Sequence, residues 1–202
     1  IKSKLEDQKN IKLPKIIAVS KTFKLEKILP LIEYGHLDYG ENKVQEAIEK
    51  WSEVKIKNPN IQLHLIGKLQ TNKVKHAIKL FDYIHSVDSE KLAKKISDEE
   101  LKQNKKIKIF IQVNIGNENQ KSGVNKNEIN NLYIYCKKLK LHVIGLMCIP
   151  PEGEDSDKYF KEIKLLNEKL NLPELSIGMS SDYLKAVENS STYLRIGSSI
   201  FG

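Results

Sequence analysis

A lysine at the end of an apolar run is the first feature of this sequence that could do chemistry. Residues 16–20 read Ile-Ile-Ala-Val-Ser, and Lys21 follows them directly. A short run rich in β-branched residues predicts a strand buried on both faces, as in a parallel sheet. At the carboxyl end of such a strand, a desolvated amine loses its proton more easily and can attack a carbonyl carbon. The run alone also fits a lysine that simply reaches solvent.

Small and hydroxyl-bearing residues surround two glycines near the end of the sequence. Residues 178–182 read Gly-Met-Ser-Ser-Asp and residues 195–198 read Arg-Ile-Gly-Ser. Small residues let backbone N–H groups approach phosphate oxygens, and hydroxyl groups add donors. Arg195, the only arginine of the chain, could instead pair with Asp182 or Glu188 at the surface. Each serine or asparagine taken alone also fits a helix cap.

Short apolar runs alternate with segments of helical periodicity, and they do so eight times. The predicted strands cover residues 16–20, 36–39, 62–66, 83–87, 107–114, 142–149, 174–177 and 193–196. Between them, apolar residues recur at the three- and four-residue spacing of an amphipathic helix. The first such face comprises Leu25, Ile28, Leu29 and Ile32.

Strand–helix alternation predicts a parallel sheet with right-handed crossovers, and eight units predict closure into a single (β/α)8 TIM barrel over residues 1–202. An open doubly wound sheet is the alternative, although it rarely needs eight regular units. Residues 1–9 are amphipathic and are interpreted as the remainder of a truncated first helix. Function in such a barrel collects at the carboxyl ends of the strands, where Lys21 and both glycine-containing segments fall.

The formal net charge of +8 raises the possibility of a nucleic-acid partner. The lysines are scattered among acidic residues, however, and arginine, which does most bidentate phosphate and base recognition, is almost missing. No apolar run approaches the roughly 20 residues that cross a bilayer. We therefore expect neither nucleic acid nor a membrane as a partner.

The cysteines and histidines do not form a recognisable metal or disulfide pattern. Cys136 and Cys148 fall in a predicted helix and a predicted strand, which is typical of reduced thiols in a cytoplasmic protein. The five histidines lack the spacing of metal ligands, so no metal is expected. His64, in the third predicted strand, fits a packed core residue as well as a site residue. The sequence begins without methionine, so an organellar targeting segment before it stays open.

Several short motifs resemble, in order along the chain, those of one family. They include residues 18–22 (Ala-Val-Ser-Lys-Thr), 39–46 (Tyr-Gly-Glu-Asn-Lys-Val-Gln-Glu) and 64–73 (His-Leu-Ile-Gly-Lys-Leu-Gln-Thr-Asn-Lys). Shorter matches fall at residues 114–115, 121–123, 145–147, 178–182 and 195–198. From about residue 15 to its last residue, the chain resembles the pyridoxal phosphate homeostasis protein family, whose fold is related to the amino-terminal barrel of alanine racemase.

This resemblance implies a cofactor and a role for particular residues. Lys21 would hold pyridoxal 5′-phosphate as a Schiff base, Arg195 would face the pyridine nitrogen, and Asn42 would lie near the ring. Four residues are implied to bind the phosphate group: Ser180, Ser181, Gly197 and Ser198. Lys68 departs from the family, which usually has proline or another non-lysine residue there, and we expect it to add a charge near the barrel mouth.

Arg195 also limits the chemistry that the resemblance implies. A guanidinium only donates hydrogen bonds, so it leaves the ring nitrogen unprotonated and the ring a weak electron sink. The implied role is intracellular buffering of the cofactor and its delivery to pyridoxal-phosphate-dependent apoenzymes, without robust catalysis and with no catalytic residue.

The alternative function is an amino-acid racemase. A two-base racemase needs a second acid/base group on the ring face opposite the lysine. In the racemases that this barrel resembles, a tyrosine on a C-terminal β-domain of the partner subunit fills that role. The sequence ends at the eighth predicted strand, so we expect no such domain and a monomer. Tyr39 and Tyr183 remain as candidate substitutes.

Overall fold

Each strand in the described part of the chain pairs in parallel with its neighbours in sequence, and the last strand pairs with the first. The structure is a computed structural model that describes residue 5, residues 13–118 and residues 122–202. Its strands are β1 (Lys15–Val19), β2 (Asp38–Glu41), β3 (Gln62–Leu65), β4 (Tyr83–Val87), β5 (Lys108–Val113), β6 (His142–Cys148), β7 (Glu174–Ser176) and β8 (Tyr193–Ile196). The predicted (β/α)8 barrel is confirmed, and the open doubly wound sheet is wrong.

In the described part of the chain, a helix follows each strand. These helices are α1 (Leu25–Glu33), α2 (Val44–Lys57), α3 (Val74–Leu80), α4 (Glu90–Gln103), α5 (Ile129–Lys138), α6 (Ser156–Lys169), α7 (Tyr183–Glu188) and α8 (Ser198–Phe201), with 3-10 turns at Thr71–Lys73 and Lys126–Glu128. Helix α4 shows how sequence sets their ends. The Ser89 side chain accepts the N–H of Leu92 at the start, and Asn104 ends the helix in the left-handed conformation, with φ of 47°. Within α4, Ile96 is fully buried against the core. Within the described residues, no helix combines the length and the apolar character that a bilayer crossing requires.

Large side chains from several strands form a second, smaller core cluster distinct from the main one. Its members are Ile17, Tyr83, Phe110, Ile144, Met147 and Tyr193. The ring of Tyr193 meets that of Phe110 edge to face, with centroids 5.4 Å apart. Such filling makes the centre of the barrel a packed core, as is usual for this fold, and leaves the strand ends for ligands.

The second strand lies two residues later than the sequence predicts. Residues 36–39 carry the apolar pattern, but β2 spans Asp38–Glu41. Gly40 and Glu41 resemble turn residues by type, yet Glu41 is fully buried because Lys50 and Trp51 bind its carboxylate. The other strands begin and end within one residue of their predicted bounds.

The predicted apolar face of α1 is also too wide. Ile28 is fully buried, whereas Leu29 is 39% exposed. Leu25 and Ile32 are partly buried and pack on the core. The helix therefore touches the barrel along a narrower stripe than periodicity suggests. The predicted helix at residues 1–9 lies outside the described residues apart from Leu5, which is helical and buried.

Candidate functional site

An open cavity of about 780 Å³ lies at the carboxyl ends of the strands. Its size is within the range of about 300–1,000 Å³ that is typical of ligand sites. All the residues predicted to bind a cofactor line it: Lys21, Asn42, Ser180, Ser181, Arg195, Gly197 and Ser198. The closed barrel thus brings together side chains that lie more than 170 residues apart in the chain.

Lys21 lies in a turn just beyond β1, at the mouth of this cavity. Its neighbour Thr22 has a φ of 65°, which is rare for a β-branched residue, and the Thr22 hydroxyl donates to the Lys21 carbonyl. This left-handed residue bends the chain sharply after the lysine. Lys21 is exposed, which fits the alternative of a lysine that reaches solvent and not that of a desolvated amine.

A buried carboxylate anchors the residue that precedes Lys21. Oε1 of Glu41 accepts hydrogen bonds from Ser20 Oγ at 2.7 Å, Lys50 Nζ at 2.9 Å and Trp51 Nε1 at 2.9 Å. Lys50 also donates to the Ser20 carbonyl at 2.8 Å. Four side chains, from β2, from α2 and from the residue after β1, therefore fix the point at which the chain turns at Lys21. Sequence reasoning missed this cluster, because an acidic residue beside a glycine looks like part of a loop.

The loop after β7 is shaped by a glycine and an aspartate. Gly178 has a φ of 93°, and a Cβ there would lie 2.5 Å from the Cβ of Ala186, so the position requires glycine. The N–H of Met179 donates to Oδ1 of Asp182 at 2.7 Å. Asp182 therefore stabilises the loop through a hydrogen bond to the loop's own backbone.

This loop is tied to the turn after β8 through Ser180. The Ser180 hydroxyl oxygen accepts the backbone N–H groups of Gly197 at 3.3 Å and Ser199 at 3.4 Å. Two backbone donors and a hydroxyl thus converge at one edge of the cavity, and Ser199 joins its lining. Sequence reasoning did not select Ser199, although it directly follows the predicted Ser198.

Arg195 lines the cavity and is only 5% exposed. Nη1 donates to the carbonyl and to the hydroxyl of Ser176 at 2.7 and 2.8 Å, and Nη2 donates to the carbonyl of Cys148 at 2.9 Å. Burial lowers the pKa of Arg195 from its usual value. The alternative of a surface ion pair with Asp182 or Glu188 is wrong, since the guanidinium is buried among strand ends.

The loops after β2 and β3 meet at Gly67. A Cβ at this glycine would lie 2.3 Å from the backbone oxygen of Asn42, so only glycine lets the two loops approach this closely. Asn42 and Gly67 both line the cavity, and so does the exposed Lys68. The expected charge near the mouth is therefore present. In the motif at residues 121–123, Ser122 lines the cavity and Lys121 lies outside the described residues.

Comparisons with known proteins assign the chain to a family. The sequence profile of the alanine racemase N-terminal domain matches residues 3–202. The pyridoxal phosphate homeostasis protein of Aquifex aeolicus is 38% identical over 198 residues, which cover 93% of this chain and 86% of that protein. The chain belongs to the pyridoxal phosphate homeostasis protein family.

Solved structures agree with this membership. PipY of Synechococcus elongatus PCC7942, with PLP bound, is 33% identical and superposes with a TM-score of 0.88, covering 99% of this chain and 97% of PipY. Alanine racemase of Clostridium difficile 630 is 18% identical, with a TM-score of 0.76 over 98% of this chain and 55% of the racemase. The second likeness shows that this chain and the racemase share the barrel fold.

In this member of the pyridoxal phosphate homeostasis protein family, few ionisable side chains reach the cavity. Of the described residues that line it, only Lys21, Lys68 and Arg195 are basic or acidic, and none is a tyrosine. The ring of Tyr39 packs on Trp51 with centroids 4.8 Å apart and is fully buried. Over the described ranges, no three metal-ligating side chains of His, Cys, Asp or Glu lie together.

Proposed function

We propose that this protein binds pyridoxal 5′-phosphate in the cavity, holds it covalently through Lys21, and serves the intracellular homeostasis of that cofactor. The observation that carries the proposal is the buried side chain of Arg195, which lines one cavity together with Lys21 and the backbone donors of Gly197 and Ser199. The family membership supports it, and so does PipY, which carries PLP in its solved structure.

The edge of the cavity around Ser180 fits a phosphate group. Phosphate oxygens accept hydrogen bonds, and the N–H groups of Gly197 and Ser199 already converge on one oxygen atom, the Ser180 hydroxyl. Ser181 and Ser198 add hydroxyl groups to the same lining. We assign phosphate binding to these residues, with Asn42 placed near the ring.

Arg195 fits the ring nitrogen of the same cofactor. A guanidinium carries five N–H donors, and among the described residues three hydrogen bonds from Arg195 are taken by Ser176 and Cys148. Because Arg195 also lines the cavity, we expect a further N–H of its guanidinium to meet an acceptor there. A guanidinium keeps its protons at ordinary pH. It would therefore donate a hydrogen bond to such an acceptor without protonating it.

The same geometry argues for cofactor handling rather than robust catalysis. Pyridoxal phosphate supplies an aldehyde that reacts with amines and a ring that withdraws electrons best when its nitrogen is protonated. Arg195 keeps that nitrogen unprotonated. Apart from Lys21, the acid/base side chain that the described lining offers is the exposed Lys68. We therefore assign no catalytic residue.

We extend the proposal to the setting in which the protein works. Residues 1–202 would form one barrel domain, a view that the closed eight-strand sheet supports. A reducing cytoplasm is supported by Cys136 and Cys148, which are free and buried; burial raises the pKa of each thiol to about 12. The open mouth of the cavity and the exposed Lys21 suit the transfer of the cofactor to apoenzymes. A monomeric state remains a prediction.

A comparison of two ligands tests the proposal. The protein is titrated with pyridoxal 5′-phosphate and with pyridoxal, which lacks the phosphate, and bound cofactor is followed by absorbance. We expect the phosphorylated form to bind at least about tenfold more tightly, because a charge-assisted hydrogen bond is worth about 1.5–3 kcal/mol.

Replacing Ser180→Ala should reduce this preference, whereas Ser52→Ala, on the exposed face of α2, should leave it unchanged. Equal affinity for the two ligands, or no binding of either, would contradict the proposal.

A further inference from the structure

Five polar side chains from five strands form a continuous series of hydrogen bonds through the barrel. His64 Nε2 lies 3.0 Å from Asp38 Oδ1, and His64 Nδ1 lies 3.0 Å from His85 Nε2. His85 Nδ1 lies 2.9 Å from Ser176 Oγ, which accepts Nη1 of Arg195 at 2.8 Å. We call this series the relay. It runs from β2 through β3, β4 and β7 to the arginine on β8.

The charge state of Asp38 determines which atom donates the hydrogen bond between Asp38 and His64. Burial raises the pKa of Asp38, but the hydrogen bond from His64 and nearby positive groups outweigh it and lower the pKa below its usual value. An ionised carboxylate only accepts, so His64 Nε2 must carry a proton. Burial lowers the pKa of His64 and, more strongly, that of His85, so both rings are neutral near pH 7.

The positions of the other protons in the relay follow from the proton on His64 Nε2. A neutral His64 with a proton on Nε2 must accept at Nδ1, so His85 donates from its Nε2. His85 then accepts at Nδ1, and the Ser176 hydroxyl donates its single proton to it. The oxygen of Ser176 is thereby left to accept from Arg195, which can only donate. Every group is satisfied, and every donor points from Arg195 towards Asp38.

Ring stacking holds the two histidines in this arrangement. His64 stacks on Tyr83 with centroids 4.1 Å apart, and His85 stacks on Phe110 with centroids 4.3 Å apart. Both histidines have no exposed surface. The rings therefore cannot turn without breaking their packing as well as their hydrogen bonds.

We propose that the relay positions Arg195 for the cofactor ring: it fixes the plane of the guanidinium and links this buried cation to the carboxylate of Asp38. His85, His64, Ser176 and Asp38 are thus positioning residues that never contact the cofactor. This inference rests on the proposed function, since it assumes that Arg195 faces the ring nitrogen. Without His85 the Ser176 hydroxyl is free to rotate, and without Ser176 one donor of the guanidinium loses its acceptor; in either case the orientation of Arg195 loosens.

The first test reads the protons directly and needs no cofactor. Nitrogen-15 NMR of the ligand-free protein at pH 7 distinguishes the two tautomers of each histidine. We expect His64 and His85 both to carry the proton on Nε2. A proton on Nδ1 of either ring, or a doubly protonated ring, would overturn the relay.

The second test removes one member. His85→Phe retains a ring to stack on Phe110 but removes both hydrogen bonds. We expect pyridoxal phosphate to bind about tenfold more weakly and its absorption maximum to shift, with borohydride labelling of Lys21 retained. His142→Phe, at the exposed start of β6, is the matched control and should change neither. If His85→Phe fails to fold, Ser176→Ala breaks the relay at the hydroxyl and is read in the same way.

Unchanged affinity and spectrum in the relay variant would overturn the positioning role. A wild-type protein that binds no pyridoxal phosphate would overturn the proposed function and the positioning role together, whereas the tautomers would still decide whether the relay exists.

Discussion

The ammonium group of Lys50 lies 2.9 Å from Oε1 of Glu41, a carboxylate with no exposed surface. Lys50 is itself 13% exposed, so the pair is largely shielded from water. Removing one partner of such a pair leaves a buried charge without compensation, which costs far more than breaking a surface pair. Because the same cluster binds Ser20, the residue before Lys21, this pair links the stability of the barrel to the position of Lys21.

We expect Lys50→Met to lower the free energy of unfolding by about 3 kcal/mol. The control is Lys43→Met, whose pair with Glu46 is on the surface, with side chains 73% and 44% exposed. Losing that exposed pair should leave the free energy of unfolding almost unchanged. Urea denaturation measures both changes. Similar costs for the two variants would contradict the structural role of the buried pair.

Stability should fall as the pH falls below 6.5. The pKa values of His64 and His85 lie below 6.5 in the folded protein, because burial disfavours their charged forms. Unfolded histidines bind protons near pH 6.5, whereas these two resist protonation, so acid favours unfolding.

The stability that comes from burying His64 and His85 in their neutral forms is fully present above pH 6.5. It is lost as the pH falls towards the folded pKa values, with a slope of up to roughly 1.4 kcal/mol per pH unit for each histidine.

The contribution of Asp38 to stability is lost at a lower pH than that of the two histidines. Its pKa is lowered from 3.8, so its contribution is lost only below that value.

Urea denaturation between pH 5 and 8 measures how the free energy of unfolding changes with pH as the two histidines titrate, and His85→Phe should reduce this slope. An unchanged slope in that variant would show that His85 does not titrate in this way.

Gly67→Ala should weaken pyridoxal phosphate binding by at least about tenfold. The new Cβ would lie 2.3 Å from the backbone oxygen of Asn42, so the loop must move and displace this cavity residue. Gly153→Ala is the control, because its Cβ would meet nothing within 4 Å although its φ is 79°. That change should cost about 1 kcal/mol of stability and leave affinity unchanged. Equal affinities for both variants would show that the contact between the two loops is not needed for binding.

Racemisation of amino acids should be far slower than in ordinary enzymes, which turn over about 1–1,000 times per second. The described lining lacks a tyrosine, and its one further acid/base side chain is Lys68. Chiral chromatography after incubation of the loaded protein with L-alanine measures the rate, and Lys68→Ala should leave it unchanged. Turnover at ordinary enzyme rates would contradict the homeostasis role, and its loss in Lys68→Ala would identify the second base.

The fold and part of the cavity lining could be predicted from local patterns, whereas the place of Asn42 was implied by the family resemblance. Eight apolar runs and the helical segments between them predict the barrel, and its known geometry places Lys21 and Ser180 at one end. The error at β2 arose because Glu41 is polar, and its burial depends on a partner element, α2, which brings Lys50 and Trp51 to the carboxylate. Residue type alone could not show that partner.

The relay could not be predicted from the sequence for the same reason. Asp38, His64 and His85 are each unremarkable within their own strands, and His64 fitted a core residue equally well. Their contacts depend on register between strands, for example Gly40 of β2 beside His64 of β3. Such register is set by closure of the whole sheet, which no local pattern encodes.

The most direct test of the account is to locate the covalent bond. The protein is loaded with pyridoxal phosphate, reduced with borohydride, digested and mapped by mass spectrometry. We expect one modified peptide, with the modification on Lys21. Lys24→Ala should keep it, and Lys21→Ala should lose it while retaining weaker, phosphate-dependent binding. Modification of Lys68 instead of Lys21, or of no lysine, would contradict the assignment of Lys21 as the residue that holds the cofactor.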